Sequence, residues 1–155
     1  MQPATLEDYL KADGWPYKRV EGQRVWQTGI KTNSASFRIF ITLSKHWVFC
    51  QMPLSIKAGK DQLLKLYQYL LRKNFEMNLA KFVLEEDGTI SLNIELPTED
   101  LTGTNFSDAL NMLSAYIEKY YEELTALIQD SSEMKKRTQK SRAQKPRAGR
   151  SVSER

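Results

Sequence analysis

His46 and Cys50 are the only histidine and the only cysteine in this sequence, and together the only residues that could form a nucleophilic pair. A thiol activated by an imidazole needs the two groups within about 3.2 Å. The segment carrying them alternates like a strand, and at roughly 3.3 Å per residue a four-residue separation sets them about 13 Å apart along it. Core or edge positions are the better reading for both. One histidine, one cysteine and scattered acids do not make the tetrahedral set that zinc takes. Gly59-Lys60 runs into Asp61, whose charge opposes a phosphate, and Gly103-Thr104-Asn105 has too few glycines to cradle one; both read as ordinary helix starts. No pair of carboxylates has a spacing or an apolar setting suited to acid–base work. The sequence predicts no catalytic residue, no metal, no cofactor and no enzyme activity.

The residues with chemistry to offer are aromatic and basic, so the elements that hold them matter. Ser36 to Leu43 reads as a strand with Phe37, Ile39, Ile41 and Leu43 on one face and Arg38, Phe40 and Thr42 on the other. After a turn near Ser44-Lys45, His46 to Met52 gives another strand, ended by Pro53. There Trp47 and Phe49 lie opposite Val48, Cys50 and Met52, so both faces of these two strands carry bulky apolar groups. Two accounts are open. Trp15-Pro16-Tyr17 or an edge loop covers the second face, or that face receives a partner, since large exposed apolar patches mark interaction sites.

Ala80 to Leu96 is a hairpin turning at Asp87-Gly88. Phe82, Leu84, Ile90, Leu92, Ile94 and Leu96 share one face, and Lys81, Glu85, Ser91, Asn93 and Glu95 share the other. Val20 to Thr28 predicts a first strand, interrupted around Glu21-Gly22-Gln23, and Gly29 to Ser34 reads as a turn. Three helices are expected. The first spans Thr5 to Gly14 with Thr5 as cap. The second spans Asp61 to Asn74, with Leu63, Leu66, Tyr67, Leu70 and Leu71 as its stripe. The third starts after Leu96-Pro97 with Thr104 as cap and runs from Phe106 to Ile128 with apolar residues at helical spacing. Leu64 and Tyr69 on the second helix, and Met112 and Tyr116 on the third, lie off the stripe. Such residues either widen a buried face or rim a contact with a second copy. The order α-β-β-β-α-β-β-α predicts an α+β fold, an antiparallel five-stranded sheet with helices packed mainly on one side.

Charge divides the chain at residue 130. From Asp130 onward nine Lys or Arg stand against three acids, a net of +6, leaving a body of 14 bases and 16 acids. Residues 1–129 are expected to form the domain and 130–155 a disordered basic tail, too poor in apolar residues to offset the entropy of ordering. Lys135, Lys136, Arg137, Lys140, Arg142, Lys145, Arg147 and Arg150 either solubilise the chain or contact nucleic acid or an acidic partner, without sequence preference and with strong salt sensitivity. No signal segment opens the sequence and no apolar run approaches the roughly 18 residues of a membrane span, so a cytoplasmic location without membrane contact is expected.

The element order resembles the type III secretion chaperone fold, and within it the YbjN-like family. The match rests on Lys81-Phe82-Val83-Leu84-Glu85-Glu86-Asp87-Gly88-Thr89-Ile90-Ser91-Leu92, on Leu96-Pro97, and on Tyr120-Tyr121-Glu122-Glu123-Leu124 closing a helix. Trp47 in a strand and the helix from Leu63 to Leu71 fit the pattern too, and the likeness runs from about Thr5 to Leu127. The basic tail is not part of it. The resemblance implies a compact, often dimeric, non-enzymatic domain that binds other proteins by holding an extended client segment. On that reading Phe40, Trp47 and Phe49 bind the partner and Leu64 and Tyr69 contact a second copy. The alternative is a nucleic-acid-associated adaptor that uses the tail.

Overall fold

The computed structural model describes residues 1–56 and 60–143, with side chains through residue 128 except that of residue 61. Its strands are β1 (Lys18–Arg19), β2 (Val25–Lys31), β3 (Ser36–Leu43), β4 (Trp47–Leu54), β5 (Lys81–Leu84) and β6 (Ile90–Pro97), and its helices are α1 (Pro3–Ala12), α2 (Leu63–Glu76) and α3 (Gly103–Ala143). The strands form one antiparallel sheet in the order β1-β2-β3-β4-β6-β5. Placing β6 between β4 and β5 lets the hairpin's longer strand join the sheet while β5 remains at its edge.

The sheet has six strands where five are expected. What reads as one interrupted strand is a hairpin: Val20 N–H bonds Val25 O at 2.8 Å, Gln23 N–H bonds Val20 O at 3.2 Å, and Gly22 takes φ 71°. A positive φ carries no Cβ penalty for glycine, so the chain reverses there. β2 then runs on through Lys31, past the turn predicted from Gly29. β4 continues through Pro53, because its ladder with β3 ends at Phe40↔Gln51 while that with β6 persists to Leu54. Beyond Gln51 the β3 side of β4 requires no N–H, and proline is tolerated.

The helix caps also differ from expectation. α1 begins with Pro3 at its first turn and has no side-chain cap, so Thr5 lies inside it. A short 3-10 turn, Lys60–Gln62, precedes α2. Thr102, not Thr104, caps α3: its Oγ1 accepts the Asn105 N–H at 3.1 Å.

One core lies between the sheet and the helices. Ile39, Ile41, Val48, Cys50, Met52, Leu92 and Ile94 from the strands meet Leu6 and Leu10, Leu66 and Leu70, and Phe106, Leu110, Leu113 and Ile117 from the three helices. Two residues of the expected inward set depart from it. Leu84, at the far end of the hairpin, and Leu71, on the outer flank of α2, are exposed.

Candidate functional site

The sheet's outward face carries the aromatic set. Phe40 on β3 sits between Gln27 of β2 and Gln51 of β4, and Phe49 on β4 sits between Thr42 of β3 and Glu95 of β6. Trp47 opens β4 opposite Pro97 and is 44% exposed, while Phe40 and Phe49 are half-buried by neighbours in the sheet. The β3–β4 turn fixes Trp47: Ser44 Oγ accepts its N–H at 3.0 Å and donates to its carbonyl at 3.1 Å. Trp15 and Tyr17 do not cover this face. They pack against the core, and Pro16 O accepts the buried Thr28 hydroxyl at 2.6 Å from the inward side of β2.

Where β3 and β4 part beyond Phe40↔Gln51, a cleft of about 220 Å³ opens, lined by Phe37, Arg38, Phe40, Pro53, Ser55 and Tyr121. Tyr121 reaches it from α3, its ring edge-on to Phe37 at 4.9 Å between centroids. An apolar group on the outward face would therefore meet a tyrosine belonging to the helix layer.

The hairpin half of the same face is polar, and most of its polar groups are paired with one another. Glu85 Oε1 accepts from Ser91 Oγ at 2.5 Å and from Gln51 Nε2 at 2.7 Å, and Lys81 pairs with Glu95 at 3.0 Å. Ser91, expected on the face opposite the hairpin's apolar residues, is fully buried by this arrangement. Asn93 Oδ1, beside it, is a buried acceptor with no hydrogen-bond partner.

On α2 the structure separates Leu64 from Tyr69. Tyr69 faces α3, its hydroxyl donating to Glu123 Oε2 at 3.0 Å; burial, then Glu123, pushes its phenol well above the usual tyrosine range. Lys73 completes this junction, 3.0 Å from Glu76 and 3.6 Å from Glu123, with its ammonium over the Tyr69 and Tyr120 rings. Leu64 points elsewhere. At 3.6 residues per turn, Leu64, Leu71 and Phe75 fall within about 40° of one another and about 140° round from the buried Leu66 and Leu70. Leu64 and Leu71 are each 69% exposed and Phe75 is 93% exposed. The seven-then-four spacing of 64, 71 and 75 is the sequence signal for this second stripe, which the primary stripe masks.

His46 and Cys50 are not brought together. His46 is exposed in the turn before β4, and Cys50 is buried in the core, where desolvation pushes its thiol up to about 12. Among the described residues no group of three or more His, Cys, Asp and Glu could hold a metal, and no helix is long and apolar enough to cross a membrane. Lys135, Lys136, Arg137, Lys140 and Arg142 lie on the distal part of α3, described in its backbone alone, whereas Lys145, Arg147 and Arg150 lie outside the described residues. Helix runs through the first part of the basic segment, where Glu133-Met134-Lys135-Lys136 is helix-compatible in sequence. Gly and Pro are absent from residues 130–143, and a helix already nucleated by packing propagates at low cost.

A family model described as "YbjN: Putative bacterial sensory transduction regulator" matches residues 2–126. Among solved structures, the chain is similar to YbjN from E. coli, with 13% identity, a TM-score of 0.59 and coverage of 79% of this chain and 93% of that one. It is similar to a chain of the ExsC–ExsE complex at 13% identity and TM-score 0.57, covering 79% and 92%. For the ExoU–SpcU heterodimer from the type III secretion system of Pseudomonas aeruginosa the figures are 14% and 0.55, covering 79% and 97%. No curated protein matches the chain.

Proposed function

The chain belongs to the YbjN family, and from that membership we propose that it is a non-enzymatic protein-binding module, holding an extended segment of a partner protein across the outward face of its sheet. The observation that carries this reading is the aromatic set Phe40, Trp47 and Phe49 on a face to which no helix contributes a core residue. Aromatic side chains there supply binding area at low entropic cost, and the adjoining cleft, lined by Arg38, Ser55 and Tyr121 beside Phe40, extends the surface. Solved structures of the same fold that contain a second protein, ExsC–ExsE and ExoU–SpcU, support a protein partner. A second copy of the chain is the partner we assign to α2. Leu64, Leu71 and Phe75 form its contact, while Tyr69 braces the helix against α3.

The test pairs two double variants of the full chain. Trp47→Ser with Phe49→Ser is expected to keep the wild-type urea unfolding midpoint and to lose the protein partners that the native chain retains from its own cell extract. Leu64→Ser with Phe75→Ser is expected to keep those partners and to lower the sedimentation coefficient to that of one copy. If the first pair unfolds the protein, these rings belong to the core. If it folds and keeps its partners, the outward face is not the binding surface.

A further inference from the structure

The edge of the sheet at β5 is where a foreign strand would be expected to add, and several local features converge there. Glu85 N–H bonds Thr89 O, so Lys81, Val83 and Glu85 turn their backbone polar groups toward β6. Strand geometry then turns those of Ala80, Phe82 and Leu84 toward the free edge. An edge of this kind is a template for pairing with another chain.

Two of these three positions are occupied from within. Asn74, in the last turn of α2, accepts the Phe82 N–H on Oδ1 at 2.6 Å and donates from Nδ2 to Phe82 O at 3.0 Å. Its carboxamide makes the two bonds that a residue of a neighbouring strand would make. Only one orientation of the amide satisfies both. The Ala80 N–H bonds Asn78 O at 2.6 Å, closing a γ-turn centred on Leu79 at φ 64°. A leucine at positive φ is strained, and the strain has a use. The tight turn sets β5 antiparallel beneath the end of α2, where Asn74 meets Phe82.

We infer that Asn74 is a surrogate strand, closing the β5 edge against pairing with β5 of a second copy. The four residues of β5 then add to their own sheet and to nothing else, and copies of the chain meet through side chains and not through a continuous sheet.

The full chain carrying Asn74→Ala tests this by amide exchange and by sedimentation across a concentration series. Exchange at Phe82 is expected to quicken on the order of tenfold, the loss of one hydrogen bond. Association beyond the wild-type state is expected to appear at high concentration. Adding Leu84→Pro, which removes the remaining outward N–H, is expected to abolish that new association. Faster exchange with unchanged sedimentation would reduce Asn74 to a helix–strand tether and overturn the inference, as would new association that survives Leu84→Pro. Should Asn74→Ala fail to fold, Asn74→Asp gives the reading at neutral pH. It keeps the acceptor for Phe82 N–H but has no donor for Phe82 O, so new association supports the closed edge and unchanged sedimentation refutes it.

Discussion

Ser91 shows how far a neighbour can change a residue's role. Alternation places it on the outward face of β6, yet Pro53, Val83 and Glu85 surround it and its hydroxyl is bonded to a carboxylate. A hydrogen bond to a charged group contributes about 1.5–3 kcal/mol, and Ser91→Ala is expected to cost in that range rather than the near-zero of an exposed serine. Leu92 and Leu113, both buried in the core, should each lose about 2–5 kcal/mol on truncation to alanine. Urea unfolding at matched protein concentration measures all three. A Ser91→Ala midpoint equal to wild type would mean that the Glu85 bond adds no stability. Cys50 differs from Ser91 in that its strand phase alone placed it correctly, on the same face as Val48 and Met52.

Among the elements, the α2–β5 connection carries a leucine in the left-handed region. Leu79 has a positive φ and an exposed side chain, so its conformation is imposed by the γ-turn and not by packing. Leu79→Gly removes the Cβ penalty but adds unfolded-chain entropy, two effects of about 1 kcal/mol that oppose each other. Leu79→Val places a β-branched residue where such residues are outliers and should destabilise the fold relative to leucine. A near-zero change for glycine beside a clear loss for valine in thermal unfolding would confirm backbone strain. Equal losses would point instead to the leucine side chain. The strain at Leu79 and the bonds of Asn74 belong to one arrangement, because the turn determines which residue of β5 faces the helix end.

At the scale of the whole molecule, α3 is longer than the sheet it covers. Among the residues with described side chains, Leu124 is its last fully buried one, and Leu127 and Ile128 are half-buried against the core. The Gln62 side chain bonds Ile128 O, tying the start of α2 to this level of α3. A chain ending at residue 128 should keep the wild-type melting temperature while losing roughly 15 residues of helix signal in far-UV circular dichroism. A chain ending at residue 119 lacks Tyr120 and Leu124 and should not fold. A drop in melting temperature on cutting at 128 would show that the basic part of α3 returns to the domain.

Local residue pattern was enough for the α+β class, the antiparallel pairing, the hairpin at Asp87-Gly88 and the inward faces of β3, β4 and β6. Each depends on periodicity or turn chemistry within a few residues, where side-chain pattern and backbone geometry are directly coupled. It also set Phe40, Trp47 and Phe49 on the face opposite the core residues, since a strand's two faces follow from alternation alone. Which flank of α2 is buried depends on packing between elements distant in sequence. Leu71 and Tyr67 both fit the apolar stripe, and the packing of α2 on β5 and α3 left Leu71 outside. It likewise turned Tyr69 toward Glu123, buried Ser91 beside Glu85, and set Asn74 against Phe82. These are meetings between residues up to 54 positions apart, and a local pattern holds no information about which distant partner a side chain will meet.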